Sequence, residues 1–375
     1  MFINFCMRQH PDFGGTYTAQ VLFSRAIECY FIDLQIPGFD SPSEANYTIK
    51  GSINPFLAYI KASSFSFFNF IPDEVKQQVK GVIIHGSFLS HFSYGLQLSK
   101  HLQIPLYLVP HGTADPYVFS YGRIKKLLWL NILGNYAARY AEKIIFTAKA
   151  ELEKSLFSFS KSKGVICPLS VEVPKDLDHN RKIDNRKLVR EELGFSETDK
   201  ILLYFSKIDK FKRPLETIQA FIKVRPKGWK LLVIGYCHDP NFYQQVKLYS
   251  NKDNVLIFPP IYGQEKWKYL LASDLFVLFS HRENFSLAAI ESAAVGLPIY
   301  ISKGVDTYPY FQSNTNLKMV FDIQSPIDIE LALKSLSSLS DDELQKMGSH
   351  CRNVVLQNFT YENFVKCLHS ALKIV

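Results

Sequence analysis

Two glutamates with seven residues between them, Glu283 and Glu291, stand in the stretch Ser280-His-Arg-Glu-Asn-Phe-Ser-Leu-Ala-Ala-Ile-Glu291, which runs on to Gly296-Leu-Pro298. The first falls in a loop after Leu275–Phe279, an apolar run that reads as a buried strand. The second falls inside a helix of small and apolar residues that stops at Gly296. Ser286 is placed to cap that helix, which leaves the N–H groups of Phe285, Ser286 and Leu287 pointing into the loop. A helix start of that kind binds phosphate. Around Glu291, the residues Leu287, Ala288, Ile290, Ala294 and Val295 leave almost no polar face. A carboxylate there is costly unless something hydrogen-bonds it. A ribose diol would serve, because one carboxylate accepts from both hydroxyls. A nearby backbone group or arginine would serve too, and would make Glu291 structural.

A second constellation follows the strand-like run Ile201–Phe205. Lys207, Lys210, Lys212 and Arg213 place four cations in seven residues, just before a helix that opens with Pro214. That density suits neutralisation of a diphosphate, and it also suits a solvated basic loop. Two further glycine sites lie after strand-like runs: Gly14-Gly15 behind Phe2–Cys6, and Gly235-Tyr236 behind residues 229–235. The paired glycines at 14–15 let backbone N–H groups approach a ligand closely. His111 lies just past the run Pro105–Val109, where open α/β sheets bind ligands. His85, followed by Gly86, is the competing histidine.

The stretch from Glu283 to Pro298 resembles the signature of retaining glycosyltransferases of family 4, which have the GT-B fold. The resemblance implies that Glu283 contacts the donor sugar and Glu291 the nucleotide ribose. Asn284 and Ser286 stand where the family has glycines, and both residue types fit a tight turn or a cap. Lys207 and Lys212 match the family's Arg-x4-Lys spacing, with a point charge in place of the bidentate fork at 207. Arg213 replaces a glycine and is itself expected to reach phosphate. By the same resemblance Gly14 and Gly15 face the sugar diphosphate, His111 lies near the donor sugar, Gly235 follows the domain's second strand, and Tyr262-Gly263 sits by the base. The catalytic set is thus His111, Lys207, Lys212 and Glu283. The donor set is Gly14, Gly15, Gly235, Tyr262, Asn284, Phe285, Ser286, Leu287 and Glu291.

The implied function is retaining transfer of a hexose from a UDP- or GDP-linked sugar to a hydroxyl of a glycan or lipid-linked acceptor, in surface polysaccharide or glycolipid synthesis. No cofactor and no metal are expected. Three rivals remain: a GT-B nucleotide-sugar epimerase or hydrolase, a non-catalytic partner subunit of the same fold, and a membrane-bound scaffold.

The elements that must carry these residues are those of an α/β chain. At 375 residues there is room for two domains, and 47% hydrophobic with 21% charged residues excludes disorder. The six cysteines show no CxxC or Cys/His spacing, so neither a zinc site nor a redox motif is indicated, and a reducing compartment is expected. No stretch approaches the apolar length of a membrane span, and Met1–Arg8 is too short for a signal peptide. The net charge of +8 is not laid out as the long basic stripe of a nucleic-acid binder. An anionic substrate or membrane surface is the expected partner, and the expected location is the cytoplasm, peripheral on the inner face of the cell membrane. Residues 122–143 set Arg123, Lys125, Lys126 and Arg139 beside Trp129 and several leucines at helical spacing. This reads either as a helix on a membrane surface or as a core helix with one wet face.

Strand candidates at 200–206, 229–235, 254–258, 274–279, 298–302 and 318–321 alternate with helical stretches, as in a doubly wound parallel domain. A polar, proline-containing boundary is expected at Pro168–Arg186, and a short helix should end near Gly194. The expected organisation is a GT-B pair of Rossmann-like domains facing a cleft: an acceptor-side domain at 1–170, a nucleotide-sugar domain at 171–358, and a final helix at 359–375 that crosses back to the first.

Overall fold

Strands buried on both faces need continuous apolar runs rather than alternation, and the chain has such runs in two blocks. The computed structural model describes residues 1–10, 14–36, 41–50, 54–120, 122–172, 179–312 and 317–374, with backbone only at 179–183. Its first sheet contains β1 (Phe2–Phe5), β2 (Cys29–Leu34), β3 (Tyr47–Ile49), β4 (Gly81–His85), β5 (Leu106–Val109), β6 (Lys143–Phe146) and β7 (Gly164–Ile166). The second contains β8 (Lys200–Phe205), β9 (Trp229–Ile234), β10 (Val255–Phe258), β11 (Leu275–Leu278), β12 (Ile299–Ser302) and β13 (Val320–Phe321). The spatial orders are β3-β2-β1-β4-β5-β6-β7 and β10-β9-β8-β11-β12-β13. Every ladder between these strands is parallel. This is the doubly wound α/β architecture expected from the alternating pattern.

In each sheet the winding reverses between two neighbouring strands. In the first these are β1 and β4, paired from Phe2↔Gly81 to Phe5↔Ile84. In the second they are β8 and β11, paired at Leu202↔Leu275 and Leu203↔Phe276. Loops that leave the carboxyl ends of such a pair diverge and open a crevice.

Packing divides the chain into two units, Met1–Ser170 with Glu362–Val375, and Val171–Tyr361. The core of the first gathers Phe5, Ile84, Phe92, Leu96, Trp129 and Phe146, all buried. The helix Tyr361–Leu372 is anchored in that unit: His369 Nε2 meets the Ala26 carbonyl at 3.0 Å, and Tyr107 donates to the Leu372 carbonyl. In the second unit Leu203, Leu232, Val277 and Ile301 are fully buried between helices. Its helix starts are chemically marked. Pro214 and Pro240 occupy first turns, Asp239 accepts from Asn241 and Phe242, and Ser340 with Glu343 forms a capping box on Asp341–Asn358.

Several boundaries differ from the sequence reading. The helix before Gly194 is not short: it runs from His179 to Leu193, through much of the expected linker. Val173–Asp178 of that linker, and Pro11–Phe13 of the first glycine loop, lie outside the described residues. The irregular stretch 37–72 holds β3, the helix Pro55–Lys61 and a 3-10 turn at Phe65–Phe68, with 37–40 and 51–53 outside the described residues. The basic stretch 122–143 is helical at Arg123–Trp129 and Asn135–Tyr140, joined by a π turn at Leu130–Gly134. Trp129 is 2% exposed and packs on Phe88 and Phe92, so it belongs to the core and not to an outer face.

Candidate functional site

The loops after β8 and β11 carry most of the chemistry picked out in the sequence, and those two strands are the reversal point of the second sheet. After β8, Asp209 accepts from the Phe211 N–H, and a 3-10 turn at Lys210–Lys212 brings Lys212 round. Lys212 Nζ donates to Ser206 Oγ at 3.0 Å and to the Glu283 carboxylate, so the two expected site residues are joined directly. The Glu283 backbone is itself fixed. Its N–H donates to the Gly304 carbonyl at 2.8 Å, and its carbonyl accepts from Asp306 at 2.9 Å. This local pairing with the loop after β12 fixes the backbone from which the Glu283 side chain reaches Lys212.

Lys207 is held apart from that pair. Its Nζ lies 3.3 Å from the Asp209 carboxylate and faces the ring of Tyr236. Arg213 departs from its expected role. It is 4% exposed, its guanidinium donating to the Ile323 carbonyl at 3.0 Å and to His281 Nδ1 at 2.6 Å. It braces the loop from behind, and it holds the His281 pKa down together with burial, the larger cause.

The helix Leu287–Ala294 follows as expected, but Ser286 does not cap it. Its side chain makes no capping hydrogen bond, and its backbone sits in the left-handed region at φ 57°. An N-cap side chain acts from extended backbone, whereas this residue occupies the conformation that glycine adopts without cost. That accounts for the glycine at this place in the family signature. Among the described residues nothing accepts from the N–H groups of Phe285, Ser286 and Leu287. The Phe285 ring is buried edge-on against Phe359, which fixes the loop from below.

Glu291 does have a partner, and it is neither a backbone group nor an arginine. Lys266 Nζ, from the helix Glu265–Ala272, lies 2.6 Å from its carboxylate. Burial raises the Glu291 pKa and Lys266 offsets part of that shift. Lys266 was not among the residues singled out: it lies in another helix, with no local spacing to join it to Glu291. Gly235 is explained by packing, since a Cβ there would stand 1.9 Å from the Ser206 carbonyl oxygen. It lets the ends of β8 and β9 close together and so sets the position of Ser206, the hydroxyl bonded to Lys212. Tyr262 is exposed.

In the first unit, Gly14 adopts φ 56° and Gly15 begins the helix Gly15–Ala26. His111 and His85, rivals in the sequence, are partners in the structure. His111 Nε2 is 2.9 Å from His85 Nδ1, the rings are stacked, and His85 Nε2 is 3.0 Å from Asn4 Oδ1. An amide oxygen only accepts, so His85 carries its proton on Nε2 and accepts at Nδ1. His111 therefore donates from Nε2 and keeps Nδ1 as an acceptor. The neighbouring turn is held by buried Glu151, which accepts from the Gly112 N–H at 2.6 Å and from Thr147 N–H and Oγ1 at 2.8 and 2.9 Å. Neither Asn4 nor Glu151 carries a local sequence signal. Only the pairing of β1 with β4, and of β5 with β6, brings them to the histidines.

A cavity of about 400 Å³ at the β13 edge of the second sheet, lined by Tyr300, Phe321, Leu331 and Met347 among others, shares no residue with these loops.

Residues 185–354, wholly within the second unit, match the family described as "Glycosyl transferases group 1". That family is one of sugar-transferring enzymes, and its segment here contains both glutamate–lysine pairs. The chain is 31% identical over 183 residues to an N-acetyl-alpha-D-glucosaminyl L-malate synthase of Bacillus anthracis, covering 47% of this chain and 46% of that protein. It is 27% identical over 331 residues to an alpha-monoglucosyldiacylglycerol synthase of Streptococcus pneumoniae, covering 84% and 71%. The chain thus spans about half the length of the first of these relatives. Among solved structures, Anabaena HepE in complex with UDP and glucose superposes with a TM-score of 0.73 at 13% identity, covering 100% of both chains. A glycosyltransferase from Rickettsia africae superposes at 0.72 with 17% identity, covering 100% of this chain and 99% of that one. The group 1 segment therefore sits in a GT-B fold.

Proposed function

We propose that the protein is a retaining glycosyltransferase that moves a hexose from a nucleotide sugar to an acceptor hydroxyl, with the second unit holding the nucleotide. The observation that carries this reading is the convergence of Lys212–Glu283, Lys266–Glu291 and the N–H groups of 285–287 on the reversal point between β8 and β11. As the glycosidic bond breaks, negative charge develops on the departing diphosphate. Cations and N–H dipoles already fixed in place stabilise that state more than the ground state. Lys212 is such a cation, held by Ser206 and Glu283, and Lys207 is a second, more exposed one. With these charges no metal is required. Glu283, pinned through its backbone, orients sugar hydroxyls, while Glu291 accepts from the ribose diol. His111 and Gly15 serve the sugar and acceptor side.

A neighbour of the same fold was solved with UDP-glucose, which supports a UDP-linked hexose as donor. The relatives are named for transfer to malate, to a diacylglycerol and to inositol 3-phosphate. Their variety supports a small-molecule or lipid hydroxyl as readily as a glycan, and a role in surface polysaccharide or glycolipid synthesis is proposed on that basis.

Titration of UDP and GDP by calorimetry tests the assignment. Glu291→Ala should remove charged hydrogen bonds worth about 1.5–3 kcal/mol, or roughly 10- to 150-fold in nucleotide affinity. A folded variant that binds UDP and GDP as tightly as the parent would remove Glu291 from the site.

A further inference from the structure

The basic helical stretch that the transferase chemistry leaves unused exposes an apolar stripe. Ile124, Leu128, Ile132, Tyr136 and Tyr140 follow one another at intervals of four residues, and the first three are 85%, 52% and 52% exposed. On a regular α-helix four residues overshoot a turn by about 40°, so five such positions would spiral away from one face. The wider π turn at Leu130–Gly134, with its i→i+5 closure, gives back part of that rotation and keeps the stripe together. The opposite side, with Trp129, Leu130, Leu133 and Ala137, is in the core. A second short helix, Pro55–Lys61, adds exposed Leu57 and Ile60. Lys100 joins the two, its Nζ 5.5 and 5.4 Å from the ring centroids of Tyr59 and Tyr136.

The charge along the two stretches that carry this face has one sign. No Asp or Glu occurs between Asp115 and Glu142, nor between Glu44 and Asp73. Arg123, Lys125 and Arg139 are exposed, and among the described residues none of them forms an ion pair. Aliphatic and tyrosine side chains flanked by arginine and lysine, without acids, match an interface where apolar chains lie beneath anionic head groups. A face reserved for a second copy of the chain would instead have to bring this positive charge against itself. We infer that Ile124–Tyr140 and the adjoining helix Pro55–Lys61 form a docking face for an anionic phospholipid bilayer, on which the protein lies without crossing it. No helix among the described residues is long and apolar enough to cross. This docking does not depend on any transfer activity.

The test is flotation of the full chain at about 0.1 M salt, where the Debye length is ~10 Å. One set of vesicles is phosphatidylcholine alone; the other adds phosphatidylglycerol as a large minority component. The protein should float with the anionic vesicles and remain below with the neutral ones. Two double variants, Leu128→Ser with Ile132→Ser and Arg123→Glu with Lys125→Glu, should each lower the bound fraction roughly tenfold. Their melting temperatures and circular dichroism should match the parent, since all four side chains are exposed. Absence of flotation, equal flotation on both compositions, or a dimer in solution that the serine variant splits would each overturn the assignment.

Discussion

Lys212→Ala is expected to lower turnover by roughly 10²- to 10³-fold, the loss typical when one fixed donor to a developing negative charge is removed. The geometry makes this cation the most consequential one in the loop. Lys210 is well exposed, Lys207 is shared with Asp209, and Arg213 is turned inward to Ile323 and His281. Lys212 alone is held by a hydroxyl on one side and by Glu283 on the other. Release of nucleoside diphosphate from a nucleotide sugar is the measurement, with the melting temperature as a check on folding. Because truncation also strips Glu283 of its cation, the double variant Lys212→Ala with Glu283→Gln separates the two contributions. Turnover unchanged in a folded Lys212→Ala protein would move the diphosphate elsewhere. Lys207→Ala should cost less, because its charge is half-exposed and shared with a carboxylate.

Acidification is expected to remove a large part of the protein's stability between pH 6.5 and pH 4. Burial pushes the His91 imidazole down from 6.5 to about 4. It does the same to His111. Burial, and then the charges of His111 and His91, hold His85 well below its ordinary value. In each case the folded pKa is below the unfolded one, so the unfolded chain takes up the proton first as pH falls. The stabilisation is complete above pH 6.5 and declines from there, and the part owed to His91 and His111 is exhausted near pH 4. At pH 5 a fully buried histidine of this kind costs about 2 kcal/mol, against a total stability of about 5–15 kcal/mol for a typical domain. Urea midpoints at pH 7.5, 6 and 5 would show the decline, and a flat profile would contradict it. His91→Gln keeps a donor for the His85 carbonyl, which His91 Nε2 meets at 2.9 Å, and should flatten the slope by roughly a third if the three histidines contribute alike.

The strands of the second unit were legible because parallel strands covered on both faces are written as unbroken apolar runs, such as Ile201–Phe205 and Leu275–Leu278. The junction between the last two helices was legible as well, since Phe359-Thr360 interrupts two amphipathic stretches and the structure breaks between Asn358 and Tyr361. What could not be read is what depends on partners distant in the chain. Glu291 was seen to need an answering group, but Lys266 lies 25 residues upstream on another helix. His85 and His111 competed as candidates because nothing local says that Asn4, 81 residues from His85, joins them in one chain of hydrogen bonds. Ser286 was misread for a different reason. Serine is a good cap by type, but capping needs extended backbone, and here the turn from β11 into the helix imposes a left-handed residue. For the stretch around Trp129 the sequence left a surface helix and a core helix with one wet face both open, and the aromatic cluster of Phe88 and Phe92 decides that Trp129 itself lies inside.

The Lys266–Glu291 pair also furnishes the protein with an optical reporter. The ammonium lies 4.9 Å from the ring centroid of its chain neighbour, Trp267, and a cation that near an indole perturbs its excited state. Trp129 and Trp229 are buried, and neither neighbours Lys266 in the chain, so they contribute the background. When a ligand's hydroxyls compete for Glu291, Lys266 must shift, and Trp267 emission should shift with it. Nucleotide binding would then be visible without any label, and Trp267→Phe should abolish the signal while leaving the affinity in place. A titration in which emission never changes would mean that the lysine keeps its seat and that the ribose is held by something else.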